Sequence, residues 1–194
     1  LPITYRWHHH HHHPDVAIHI RTGRVFRSGK DNTRHTGNET FRQFWECGQR
    51  FRQAIEARRQ NEQGKKLSFR NVTRTDDDHP TPRKTYLASD SNHVKRILQQ
   101  WDPSIVIGKK KIVSYHMNRS KPNLSPNLTQ DLWAEFILLI DSECLVSNRS
   151  GFSEAPRFIT FSNTDTYARC AAYFQDCDQT VVDQGVASLA VLPP

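Results

Sequence analysis

The 194-residue chain has no apolar run approaching the roughly 18 residues needed to cross a bilayer. Its most apolar stretch, Phe136 to Ile140, is far too short. It contains no Cys-x-x-Cys pair, which removes the usual zinc spacings, and no Gly-x-Ser-x-Gly elbow for a serine hydrolase. Arg149-Ser150-Gly151 lacks the first glycine of that elbow, and Cys47 falls on a helix face, where a structural role is expected. Aliphatic content is low, with hydrophobic residues at 36%. Ten Phe, four Trp and five Tyr offset it, because each ring buries a large area.

The chain opens at Leu1 without Met or a signal-type apolar segment, which reads as a trimmed product. His8 to His13 are six successive histidines and look like an affinity tag, with a natural His-rich tract as the alternative. Residues 1–14 are therefore set apart from fold and metal reasoning.

Six Asn-x-Ser/Thr sequons occur, at Asn38, Asn71, Asn118, Asn123, Asn127 and Asn148, none with a central proline. Four cysteines form an even set. Both features predict a secreted protein or one in the lumen of the secretory pathway. Proximity in sequence suggests Cys170 with Cys177, which leaves Cys47 for Cys144.

Net charge is +7, concentrated at Arg21, Arg24, Arg27, Lys30 and Arg34 and again between Arg42 and Arg70. Such an excess suits an anionic partner, a nucleotide diphosphate or a sulfated glycan, although most of these residues read individually as a solvated face. Nucleic acid is disfavoured, since a secreted setting and the lack of any RNA-binding or zinc-finger signature argue against it. Asp76-Asp77-Asp78-His79 has the look of an Asp-x-Asp metal site, but its polar, proline-bounded context reads as a solvated acidic run. Asp176-Cys177-Asp178 has the same shape. No metal is expected.

Strand-like and helix-like segments alternate. Asp15 to Ile20, Lys84 to Ser89 and Cys144 to Ser147 read as short buried strands. Phe41, Phe44, Trp45, Gly48, Phe51 and Ile55 recur at helical spacing, predicting a helix from about Thr40 to before Gly64. Asn92 to Trp101 and Gln130 to Asp141 are further helices, and Gly151 to Thr160 is one interrupted early by Pro156. Ile105 to Ile107 is a short strand or a turn, and Lys111 to Tyr115 and Tyr167 to Phe174 are strand candidates. The Asn118 to Asn127 stretch reads as an exposed loop. The pattern predicts a single α/β domain over residues 15–180, a Rossmann-like parallel sheet with helices on both faces, followed by a tail over 181–194.

Ligands of such folds bind beyond the carboxyl ends of the strands, so the residues there carry the chemistry. His19 and Arg21 end the first strand on one side, a ring and a guanidinium fork suited to a base or hydroxyl and to phosphate. Asp90 ends the second strand, where it is either an acceptor for a guanine edge or an ordinary helix cap. The turn from Ser147 to Ser153 leads a strand into a helix and offers an anion site or simply a cap.

Together, His19-Ile20-Arg21, Tyr86-Leu87-Ala88-Ser89-Asp90 and the Leu132 to Ser153 region resemble three regions of the α1,6-, α1,2- and protein O-fucosyltransferase superfamily. The likeness runs from about Val16 to Phe161. It implies the nucleotide-binding half of a GT-B enzyme that uses GDP-fucose as donor, a glycan or protein as acceptor, and no cofactor or metal. It implies that Arg21 contacts the β-phosphate and stabilises departing GDP, a catalytic role. It also implies that His19 and Asp90 recognise guanosine, and that Ser150, Gly151 and Phe152 line the diphosphate. The chain departs from the pattern at Thr22-Gly23 and Ser150-Gly151, and it holds one of the two halves between which such enzymes form their cleft. Either a second chain supplies the other half or the domain has been turned to another task.

Overall fold

The computed structural model describes residues 14–22, 38–68, 85–107, 126–161 and 170–189. The strands are β1 (Val16–Ile20), β2 (Thr85–Ser89), β3 (Val106–Ile107), β4 (Cys144–Ser147) and β5 (Cys170–Tyr173). The helices are α1 (Asn38–Ser68), α2 (Asn92–Trp101), α3 (Pro126–Asp141), α4 (Gly151–Phe161) and α5 (Gln179–Ser188). The five strands pair in the order β3-β2-β1-β4-β5, parallel throughout. This is the order of a Rossmann-type sheet, and the predicted α/β class and single domain are what the chain forms. β1 is central, with Val16 opposite both Thr85 and Cys144. Its five residues are all buried, as a strand covered on both faces must be.

One face of the sheet carries the main core. Val16, Ile18 and Ile20 of β1 and Cys144 and Val146 of β4 pack under Phe41, Phe44, Phe51 and Ile55 of α1, Val94 and Leu98 of α2, and Val182 and Val186 of α5. α1 sits close because residue 48 is glycine: a Cβ there would stand 2.6 Å from Ile18 Cδ1. The other face is thinner, with Ala17, Tyr86, Ala88 and Leu145 under Leu139 of α3 and Phe152 of α4. At the amino end of the sheet, Arg59 bridges Asp15 and Glu143, tying α1 to the entries of β1 and β4.

Several expectations need correction. Both disulfides differ from the expected pairing: Cys47 joins Cys177, and Cys144 joins Cys170. Cys170 opens β5 and Cys177 follows its far end, so a strand's length of about 10 Å keeps them apart. Cys170 instead lies in register opposite Cys144. Of the expected tail over 181–194, the residues up to Ser188 belong to helix α5, capped by Asp178, whose side chain accepts from Val181 N, and docked through Val182, Val186 and Leu189; residues 190–194 lie outside the described residues. The 3–4 spacing of those apolar residues was the missed signal.

α4 runs through Pro156 unbroken, at the cost of the hydrogen bond that the Phe152 carbonyl would otherwise accept. α1 continues past Gly64, and α3 begins at Pro126, so Asn127 lies in a helix rather than a loop. Asn38 opens α1. Asn71, Asn118, Asn123, the Asp76 to His79 run and the Lys111 to Tyr115 candidate lie outside the described residues.

Candidate functional site

β1, β2 and β4 deliver Arg21, Asp90 and Asn148 to the same end of the sheet, and hydrogen bonds join them. Arg21 N donates to Asn148 Oδ1 at 3.1 Å, and Asn148 Nδ2 donates to Arg21 O at 2.7 Å. On the other side, Asp90 Oδ1 accepts from Thr22 N at 2.8 Å and from Thr22 Oγ1 at 2.9 Å. The two residues that follow the central strand are thus held from both neighbours. The helix cap that sequence offered to Asp90 belongs to Ser91, whose Oγ accepts from Val94 N. Asp90 Oδ2 is buried and unpartnered among the described residues.

No family model, curated protein or solved structure matches this chain. The site is therefore read from its own geometry.

His19 faces α4, its ring 5.3 Å from that of Phe152, which in turn meets Phe136 of α3 edge-on. Burial, reinforced by the nearby charge of Arg21, lowers the His19 pKa from 6.5 to about 3. His19 is thus a neutral imidazole at physiological pH, able to exchange one hydrogen bond with a base or hydroxyl but unable to supply charge to a phosphate. Its Nδ1 is buried without a partner among the described residues.

The Ser150 turn caps α4. Ser150 Oγ accepts from Phe152 N, and Ser150 O accepts from Ser153 N and Glu154 N. Ser153 Oγ donates back to Asn148 O at 2.9 Å. The first-turn N–H groups of Phe152, Ser153 and Glu154 are therefore occupied, and what Ser150 retains for an anion is its own hydroxyl proton and the helix dipole. Gly151 is exposed, and a Cβ on it would meet nothing within 4 Å.

Two clusters escaped sequence reading. Tyr173, at the carboxyl end of β5, has Arg157 at 4.0 Å and Arg149 at 5.2 Å over its ring, and its hydroxyl donates to Glu154 at 2.8 Å. Arg157 Nη1 is buried without a partner among the described residues. On the β2 side, Lys95 of α2 and Glu135 of α3 form an ion pair at 3.5 Å with both side chains buried. Burial first, then the Glu135 charge and its hydrogen bond, push the Tyr86 hydroxyl far above its ordinary range. Among the described residues β3 pairs with Tyr86 and Leu87. The Lys95–Glu135 pair links helices that lie on opposite faces of the sheet. Residues scattered over separate elements carry no pattern in sequence, which leaves both clusters invisible there.

Among the described residues no group of three potential metal ligands occurs, and no helix is long and apolar enough to cross a membrane. The two disulfides are compatible with a secreted or lumenal protein.

Proposed function

We propose that the domain binds a nucleotide diphosphate sugar, GDP-fucose by its motifs, and acts in the secretory pathway as the donor-binding half of a fucosyl transfer to a glycan or protein acceptor. One observation carries this reading. The three motif regions reach past the carboxyl ends of β1, β2 and β4, the central strand and its two neighbours, around the switch point where folds of this strand order bind nucleotides. Arg21 is the group for the β-phosphate, able to stabilise charge on departing GDP without a cation. Ser150 offers a hydroxyl to the diphosphate at the start of α4. Neutral His19 and Asp90 Oδ2 suit the nucleoside, a polar partner without net negative charge. Because Asp90 Oδ1 already accepts twice from Thr22, the carboxylate engages a base edge through Oδ2 rather than through both oxygens.

That last point also favours a second reading, in which a secreted protein keeps the fold and binds another ligand. Calorimetry without added metal separates the two. GDP should bind, and Arg21→Ala should weaken it by about ten- to a hundredfold, the worth of a charge-assisted pair of about 1.5–3 kcal/mol. GMP should bind more weakly and respond little to the substitution. No heat and no thermal shift with millimolar GDP would leave the second reading standing.

A further inference from the structure

We propose that Asn148 is a positioning residue: its amide serves as a detached peptide group that holds the Arg21 backbone across the gap between β1 and β4, and it stays free of glycan in the folded protein despite its sequon. The clamp itself stands on geometry alone, whereas its service to ligand binding rests on the nucleotide reading above.

The matched ladder between β1 and β4 ends at His19 and Ser147. Beyond it the chain must leave β4 for α4 on one face, while β1 leads toward α1 on the other, and strands that part in this way open a crevice. Asn148 spans the crevice with its side chain. A primary amide carries the donor and acceptor of a peptide group, and here both meet one residue, at 3.1 and 2.7 Å. Its own carbonyl is held by Ser153 Oγ, so the residue that clamps is itself fixed. Asp90 completes the arrangement from β2 by taking Thr22 N. The backbone N–H groups of Arg21 and Thr22 are consequently spent on side chains, and neither is left for phosphate. Anion affinity at this strand end must come from the Arg21 guanidinium, whose starting point the Asn148 clamp sets.

The same geometry decides the fate of the sequon Asn148-Arg149-Ser150. An N-linked sugar is carried on Nδ2, and the resulting secondary amide prefers the trans form, which puts the sugar carbon on the same side as Oδ1. That is the edge facing Arg21. The reciprocal pair and a glycan therefore compete for one position.

Three measurements on the full chain from a eukaryotic secretory host test this. Peptide mapping with and without glycosidase should find Asn148 unmodified in the folded, secreted fraction; a glycan there at high occupancy would overturn the proposal. The Arg21 amide should exchange at least tenfold faster with solvent in Asn148→Ala than in the wild type, and unchanged protection would overturn the clamp. For ligand binding, Asn148→Ala should weaken GDP at least fivefold in the native background but less than twofold in Arg21→Ala, with GMP affected little in either. Equal losses in both backgrounds would show that Asn148 does not act through Arg21. If Asn148→Ala does not fold, Asn148→Leu keeps the branched shape and removes both donor and acceptor, and the same exchange and binding outcomes apply. Should the wild type not bind GDP, the nucleotide reading fails alone, and mapping and exchange still decide the clamp.

Discussion

The two faces of the sheet are built on different terms. The face under α1, α2 and α5 holds four aliphatic or aromatic side chains of α1, the apolar stripe of α5 and all four half-cystines. The face under α3 and α4 buries far less apolar surface and mixes into it His19, Tyr86 and Glu135, with Lys95 reaching across from α2. Meanwhile Trp133 and Ile137 of α3, apolar and one turn apart, lie 59% and 41% exposed. Burying polar groups while leaving large apolar ones outside is the reverse of what stability alone selects. One face holds the fold together, and the other, which contains the candidate site, gives up stability for polar chemistry.

Breaking the first face should cost most. The Cys47–Cys177 bond closes 130 residues, and the chain-entropy treatment assigns such a loop about 5 kcal/mol, against about 3.5 kcal/mol for the 26-residue separation of Cys144 and Cys170. Chemical denaturation of Cys47→Ala/Cys177→Ala should show the larger loss, and a smaller loss than in Cys144→Ala/Cys170→Ala would contradict the ordering.

The second face should respond differently to single and paired changes. Lys95→Met leaves Glu135 charged and buried, a loss of about 3–5 kcal/mol. Removing both charges with Lys95→Met/Glu135→Leu should recover most of that stability, because an apolar pair of similar volume escapes the desolvation cost. If the double variant is no better than the single one, the pair contributes more than its own desolvation and the contrast between the faces weakens.

This contrast also marks how far the sequence could be read. β1, β2, β4 and α2 are legible because short apolar runs and the 3–4 spacing of Val94, Ile97, Leu98 and Trp101 are local signals. The gathering of Arg21, Asp90 and the Ser150 turn followed from topology, since residues after parallel strands share one end of the sheet. The disulfide pairing was not legible, because it depends on the register that brings Cys144 opposite Cys170. The same holds for Asn148, which presents a sequon in the sequence and a backbone clamp in three dimensions. Thr22, a departure from the motif in sequence, is the residue that Asp90 holds.

His19 offers a pH test of the second face. Its folded pKa of about 3 lies below the ordinary 6.5, so between those values the unfolded chain binds a proton that the folded chain refuses. Stability is fully present above pH 6.5 and falls as pH drops toward 3, by about 1.4 kcal/mol per unit for one proton. At pH 5 this amounts to about 2 kcal/mol. In His19→Gln that contribution should vanish, so denaturation midpoints of variant and wild type should converge as the solution is acidified from pH 7. Parallel profiles would mean that His19 is protonated at its ordinary pKa, and that the site is open to water.

The smallest effect belongs to the end of α1, which neither face owns. The helix has 31 residues, about 46 Å, whereas a five-residue strand spans about 17 Å. From Glu56 to Lys65 its side chains are half-buried or exposed, and the positions from Gln60 to Lys65 are all exposed. Local pairs such as Arg58–Glu62 and the Arg59 bridge to Asp15 and Glu143 are what support it. Gly64 lies in this overhang, and a Cβ there would touch nothing within 4 Å. Gly64→Ala should therefore gain up to about 1 kcal/mol of helix propensity at no steric cost. Because the last turns unfold without disturbing the core, the gain should appear as slower amide exchange near residues 60–66, with the global melting temperature unmoved. A rise in melting temperature instead would show that the overhang unfolds with the domain, and that α1 is held along its full length by something beyond the first face.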